Sequence, residues 1–108
     1  MSDSNATAPG TRSLTTDFTQ SNQRPYFLWD ENISVEELRM RLRGEDEHDR
    51  LRLLGKMLRE ARDIDVWDFI TPQEVADALP RVRHRLGRRR AFWEWLIEGW
   101  YADGFLRR

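Results

Sequence analysis

The chain offers few of the side chains on which enzyme chemistry depends, and none of them falls in a known catalytic spacing. Its two histidines, His48 and His84, are far apart in the sequence and belong to no recognised metal-binding or catalytic pattern. The chain contains no Gly-rich phosphate loop, nucleophile elbow or paired-carboxylate motif, and it has no cysteine. We therefore expect a non-enzymatic protein with no cofactor and no bound metal.

Acidic residues occur in two groups that could be mistaken for cation sites. Residues 45–49 read Glu-Asp-Glu-His-Asp, but they lie where a helix is expected to begin, and carboxylates there are stabilised by the helix dipole. The second group, Asp63, Asp65 and Asp68, alternates with apolar residues and lacks the central glycine and the spacing of a calcium loop. We interpret both groups as solvated helix faces.

Arginine is concentrated in residues 81–90, which combine a basic surface with buried positions at Val82 and Leu86. Six of the ten residues are arginine: Arg81, Arg83, Arg85, Arg88, Arg89 and Arg90. This density predicts a face that binds either phosphate backbones or an acidic protein surface. The alternative is a solvated face that the protein's own acidic residues partly neutralise, since residues 25–79 carry 14 acidic and 8 basic side chains.

Residues 91–101 form the most apolar segment, in which Glu94 and Glu98 are the only charged residues. A helix at the surface of a small domain buries only one side, so part of this segment is expected to be exposed. The predicted core residues are Trp93, Leu96 and Trp100, with Phe92 or Trp95 outside, although a fully wrapped core helix is the alternative. Because exposed aromatic residues are frequent at protein interfaces, the predicted partner-binding residues are Phe92, Trp95, Trp100 and Tyr101.

The elements that must position these residues are helices. Ser34 with Glu37, and Thr71 with Pro72 and Glu74, have the spacing of helix N-terminal caps and capping boxes. Helical apolar spacing follows in residues 45–62 and 82–100, with a short apolar turn at residues 64–69. The sequence predicts an all-α protein, a compact bundle of about five helices. The segments ISVEELRMRL and ITPQEVADAL lie 37 residues apart and share a pattern, so two degenerate helix-pair units are an alternative description.

Composition divides the chain into an arm and one domain. Residues 1–24 are dominated by small polar side chains, which predicts a disordered arm, and residues 25–108 form a single helical domain. A short strand in the segment that begins at Pro25 is disfavoured because no partner strand is evident. No apolar run approaches the roughly 20 residues that a membrane span needs, so we expect a cytoplasmic protein without membrane contact.

Residues 24–30, Arg-Pro-Tyr-Phe-Leu-Trp-Asp, carry a resemblance to a known group of proteins. Over residues 24–101 the chain resembles small bacterial helical proteins that open with a PYFLWD-like segment. These proteins continue through a middle similar to LLGKMLREARDIDVWDFIT and end in a Trp-containing helix. Such proteins are often encoded beside nucleotidyltransferase-like toxins of the abortive-infection type. The resemblance therefore implies an antitoxin-like or accessory role, and it assigns no functional residue.

Two functions remain open from the sequence. The first is a protein-binding module, in which the aromatic segment contacts a partner such as a nucleotidyltransferase-type toxin and the arginines steer association. The isolated chain could then form a homodimer. The alternative is a helix-turn-helix-like DNA-binding regulator, with a helix at Thr71–Leu79, a turn at Pro80 and a basic recognition helix from Arg81 that Gly87 shortens.

Overall fold

The computed structural model describes residues 12–108, which fold into a helical bundle. The five helices are α1 Val35–Leu42, α2 Glu47–Glu60, α3 Asp63–Val66, α4 Pro72–Val82 and α5 Arg90–Ala102. Two short strands, β1 Leu14–Thr15 and β2 Arg24–Pro25, pair in parallel. Residues 12–108 also contain three 3-10 turns, at Tyr26–Leu28, Arg83–Arg85 and Gly87–Arg89. The prediction of an all-α bundle of about five helices is confirmed.

Helix α2 lies at the centre of the bundle and packs against both α1 and α4. Its buried side chains, Leu54, Met57 and Leu58 among them, recur at helical spacing and form one side of the hydrophobic core. From α5, the side chain of Trp93 is completely buried, and its indole Nε1 donates a 2.8 Å hydrogen bond to the carbonyl of Leu58. This bond satisfies the polar end of the largest core side chain.

Side-chain caps fix where the main helices begin. The Ser34 hydroxyl accepts a hydrogen bond from the Glu37 amide at the start of α1, while the Glu37 carboxylate pairs with Arg41 instead of completing a capping box. At the start of α4, Thr71 and Glu74 form the full reciprocal capping box, with Pro72 in the first turn. Because such caps depend on residues three positions apart, both helix starts are predictable from the sequence.

Residues 12–24 are folded, so the prediction of a disordered arm over residues 1–24 is wrong for this part; residues 1–11 lie outside the described residues. Strand β1 pairs with β2 in a register that places Leu14 beside Arg24, which supplies the partner strand that the sequence did not reveal. The carbonyls of Ser21 and Gln23 accept hydrogen bonds from the first two amides of α1. Those amides have no partner within the helix, so the segment acts as a backbone cap.

Aromatic packing holds the same segment against the domain. The ring of Phe18 lies 5.0 Å from that of Phe69 and 6.2 Å from those of both Tyr26 and Phe27, measured between centroids. Arg24 donates hydrogen bonds to the backbone carbonyls of Arg12, Leu28, Trp29 and Glu31. The Phe18 ring and the Arg24 guanidinium therefore hold residues 12–24 in place, although the composition of this segment is typical of disorder.

Pro80 lies inside α4, not in a turn. The helix continues through Arg81 to Val82, and the two 3-10 turns follow it. The predicted turn at Pro80 and the predicted recognition helix from Arg81 are therefore wrong. Proline here removes only the hydrogen bond to the Ala76 carbonyl, in the last turns of the helix, while Leu79 and Val82 remain buried and hold it in place. Gly87, with φ of +54°, lies between the 3-10 turns.

Candidate functional site

A groove with a volume of about 690 Å³ lies between α4 and α5. We call it the α4–α5 groove. Its apolar lining comes from both helices: Ala76, Leu79 and Pro80 from α4 and Ile97 from α5, flanked by the aromatic side chains of Trp95 and Tyr101. Within it Pro80 and Trp95 are exposed and Tyr101 is half-buried, so these three side chains are available to a binding partner.

The position of Trp95 follows from the geometry of α5. Trp93 is completely buried, and a residue two positions further along a helix points to the opposite side, so Trp95 is directed outward. Its side chain is 70% exposed, the highest value among the large apolar side chains in the described part of the chain. A tryptophan held this far out beside a groove is typical of an interface anchor.

Ion pairs border the groove where α4 ends and α5 begins. Nε of Arg90 lies 2.9 Å from the Glu94 carboxylate, and Nη1 of Arg83 lies 3.8 Å from the same oxygen. Two guanidinium groups thus share one carboxylate. This end of the groove carries an excess of one positive charge that an acidic group on a partner would neutralise.

The C-terminal tail forms the other border. Gly104, with φ of +78°, ends α5 and turns the chain back so that Leu106 is buried. The Gln73 side chain makes two hydrogen bonds with the backbone of Arg107. Its Nε2 donates to the Arg107 carbonyl at 2.7 Å, and its Oε1 accepts from the Arg107 amide at 3.0 Å. Arg108 then reaches Glu98 at 2.8 Å and lies 4.2 Å from the Tyr101 ring centroid. Here each charge has one opposite partner.

Two of the four aromatic residues predicted to bind a partner line the groove, and two do not. Trp95 and Tyr101 line the groove, as just described. Phe92 and Trp100 are half-buried: Phe92 packs against Trp93, and Trp100 packs against Trp67. The prediction that Trp93 is a core residue with Trp95 outside is confirmed, whereas Leu96 and Trp100 are only partly buried and so differ from the prediction of full core positions. The bundle is too small to cover the whole of α5.

Three of the six arginines form ion pairs with carboxylates of the same chain. Arg81 pairs with Glu47, Arg83 and Arg90 pair with Glu94, and Arg89 donates to the Ala61 carbonyl and lies over the Phe92 ring. The Arg85 stem packs on Gly55, and its buried Nε has no hydrogen-bond partner. Arg88 is exposed, and no ion pair is formed by it within the described residues. The protein's own acidic residues therefore engage half of the six arginines, and which of them contact a partner stays a prediction.

Asp46, Glu47 and Asp49, three of the four acidic residues in the 45–49 group, have structural partners. Asp46 caps α2 by accepting a hydrogen bond from the Asp49 amide, and Asp49 makes two hydrogen bonds with Arg41 of 2.7 and 2.8 Å. In the second group, Asp65 is buried and accepts a 2.6 Å hydrogen bond from the Tyr26 hydroxyl. Each group is thus used to begin a helix or to join elements.

The α4 side of the groove and the C-terminal tail were not predicted from the sequence. Ala76, Leu79 and Pro80 have the i, i+3, i+4 spacing of one helix face, but the proline led to a predicted turn that hid this pattern. Arg108 lies ten residues after Glu98, and the reversal at Gly104 that brings them together was not predicted. A glycine shortly after a helical pattern is the available signal for that reversal.

The charged groups that line the groove are paired with one another, and its remaining surface is apolar or aromatic, so its chemistry suits binding. None of the helices in residues 12–108 is long and apolar enough to cross a membrane. No protein-family model, curated protein or solved structure matches the chain. The resemblance to PYFLWD-like bacterial proteins therefore stays an expectation from the sequence.

Proposed function

We propose that the protein is a non-enzymatic protein-binding module that holds a partner protein in the α4–α5 groove, in an antitoxin-like or accessory role. The observation that carries the proposal is the position of Trp95, which is 70% exposed at the edge of a groove of about 690 Å³. Exposing an indole ring to water is costly, and a partner that covered it would recover that free energy.

The charges support the same function. Arg83 and Arg90 at one end provide long-range attraction for an acidic surface. The exposed Pro80 and Trp95 and the half-buried Tyr101 provide contact area once the partner arrives. The first partner to test is a nucleotidyltransferase-type toxin, which the sequence resemblance nominates, and the proposed setting is the cytoplasm. A helix-turn-helix DNA-binding function is not proposed, because no single recognition helix carries the arginines that it requires. Four of the six lie in the 3-10 turns, while Arg81 lies in α4 and Arg90 in α5.

The test compares two exposed tryptophans that differ in position. Trp95 lies in the groove and Trp29, 60% exposed, lies at the end of the Tyr26–Leu28 turn and outside the groove. The wild-type chain, Trp95→Ala and Trp29→Ala are immobilised, and binding of a purified nucleotidyltransferase-type toxin from the native host is measured at low and high salt. We expect Trp95→Ala to weaken binding at least about tenfold, as interface anchors do, and Trp29→Ala to leave it unchanged.

Three results would contradict the proposal. They are equal binding by both variants, absence of any stoichiometric protein partner, and recovery of nucleic acid alone with a steep loss at high salt. Far-ultraviolet circular dichroism of both variants provides the control that the bundle is intact.

A further inference from the structure

We infer that the α4–α5 groove binds an amphipathic α-helix of the partner, which places apolar side chains one turn apart on the groove floor and a carboxylate against Arg83 and Arg90. This inference rests on the proposed function and specifies the chemistry of the partner. It follows from three properties of the groove: its apolar floor, the elements that build it and its uneven charge.

The floor determines what must enter the groove. Ala76, Leu79 and Ile97 are buried at its base, and Trp95 stands at its edge. The volume of about 690 Å³ lies in the range of ligand-binding clefts and accepts several side chains. Apolar side chains from one face of a helix, spaced three or four residues apart, suit a groove between two helices.

The elements that build the groove favour a helix over an extended peptide. The groove lies between two helices, whose backbone amides and carbonyls are largely bonded within each helix. Neither described strand contributes a residue to it, so no sheet edge is available for strand addition. An extended peptide would bury its own backbone groups without partners, whereas a helix satisfies them internally.

The two ends of the groove differ in charge, and this difference favours a partner helix that carries an acidic residue. Arg83 and Arg90 share the single carboxylate of Glu94, and the Arg83 pair is the looser of the two at 3.8 Å. At the opposite end Arg108 and Glu98 form a matched pair. A partner carboxylate therefore gains the most electrostatic energy at the Arg83 end. There it would be the second anion beside two cations, which now share only Glu94.

The experiment uses the full chain and a displayed library of helical peptides, each with one randomised face on an alanine-rich scaffold. Peptides selected on the wild-type chain are expected to carry apolar residues at i and i+3 or i+4, with Asp or Glu within one turn of them. Their Kd is expected to weaken about fivefold or more for Arg83→Glu, and less than about twofold for Arg88→Glu, a matched charge reversal outside the groove. Arg83→Gln, which removes the charge without reversing it, is expected to give an intermediate loss.

The outcomes separate this inference from the proposed function. One outcome is that a partner protein requires Trp95 but binds Arg83→Glu and Arg88→Glu equally well. In that case the inference of an acidic partner helix is wrong, and the proposed protein-binding function is unaffected. Selected peptides without an acidic residue, or ones that bind Trp95→Ala as tightly as the wild type, also overturn the inference. A dimer of the wild-type chain in sedimentation equilibrium that Trp95→Ala abolishes would mean that a second copy occupies the groove, and would overturn the inference too. If the wild-type chain binds no partner protein at all, the proposed function itself is overturned.

Discussion

Trp93 and Trp95 are two residues apart on α5, yet the first is completely buried with its indole bonded to the Leu58 carbonyl and the second is 70% exposed. The helix therefore has one tryptophan that holds the bundle together and another that faces solvent at the groove. Their separate roles give the first prediction, because the same substitution should have different effects at the two positions.

Trp93→Ala is expected to lower the free energy of unfolding by about 3–5 kcal/mol, because it leaves a large cavity and an unpaired Leu58 carbonyl. Trp95→Ala is expected to change it by no more than about 0.5 kcal/mol, as is usual for an exposed residue. Urea denaturation followed by circular dichroism measures both. Comparable destabilisation by the two substitutions would show that Trp95 is a structural residue.

Gly55 and Arg85 give a second prediction. A Cβ at residue 55 would lie 3.1 Å from Cδ of Arg85 and 3.4 Å from its Cβ, so the arginine stem occupies the space that an alanine needs. Alanine is favoured over glycine inside a helix by about 0.8–1 kcal/mol. We expect Gly55→Ala to yield most of that gain in an Arg85→Ala background and clearly less in the wild type.

A double-mutant cycle by urea denaturation measures this coupling. Gly99→Ala serves as the control, because a Cβ at Gly99 in α5 meets nothing within 4 Å. Identical effects of Gly55→Ala in both backgrounds would show that Arg85 does not restrict residue 55.

The folded state of residues 12–24 gives a third prediction. Phe18→Ala removes a half-buried ring from the cluster with Tyr26, Phe27 and Phe69, and it is expected to cost about 1–2 kcal/mol of stability. Phe105→Ala, at a ring that is 64% exposed, is expected to cost no more than about 0.5 kcal/mol. Thermal unfolding distinguishes the two, and equal effects would mean that Phe18 is not packed on the domain in solution.

A cluster around Lys56 makes stability depend on pH. Its amine pairs with Asp30 and Glu31, and Arg52 also binds Glu31 at 3.0 Å. The Lys56 hydrogen bond lowers the pKa of Asp30. Burial raises the pKa of Glu31, but hydrogen bonds from Arg52 and Lys56 outweigh it, so that pKa also lies below its ordinary value.

Both carboxyl groups therefore bind protons less readily in the folded state than in the unfolded state. The stability that they contribute is present above their unfolded pKa values, about 3.9 for Asp and 4.3 for Glu, and it is lost as pH falls through the folded ones. The urea midpoint should decrease below about pH 4, and the decrease should be smaller for Glu31→Gln. Glu45→Gln, at an exposed carboxylate, should keep the wild-type dependence; an unchanged slope in Glu31→Gln would contradict the assignment.

The sequence predicts the helices well because their signals are local. Thr71 and Glu74 are three residues apart, and the apolar spacing of α2 is visible within one segment. The fold of residues 12–24 could not be predicted in this way. It depends on contacts such as Phe18 with Phe69, which are distant in the sequence. Pro80 misled the prediction because proline usually ends a helix, and here buried neighbours on both sides offset the lost hydrogen bond.

The candidate site was predictable only in part for the same reason. The sequence identified Trp95, Tyr101, Arg83 and Arg90 as members of two separate signals, and the structure brings them into one groove. How each arginine is used depends on its tertiary partner, such as Glu47 for Arg81. Local density of charge cannot reveal such pairings.

Photo-crosslinking from residue 95 tests most directly whether the groove holds a partner protein. p-Benzoylphenylalanine replaces Trp95 in one strain of the native host and Trp29 in another, and cells are irradiated before the protein is purified under denaturing conditions. We expect one discrete protein adduct from position 95 and none from position 29, with loss of the adduct when unlabelled wild-type chain is overproduced as a competitor. No adduct from position 95, or the same adducts from both positions, would contradict a partner-binding function for the α4–α5 groove.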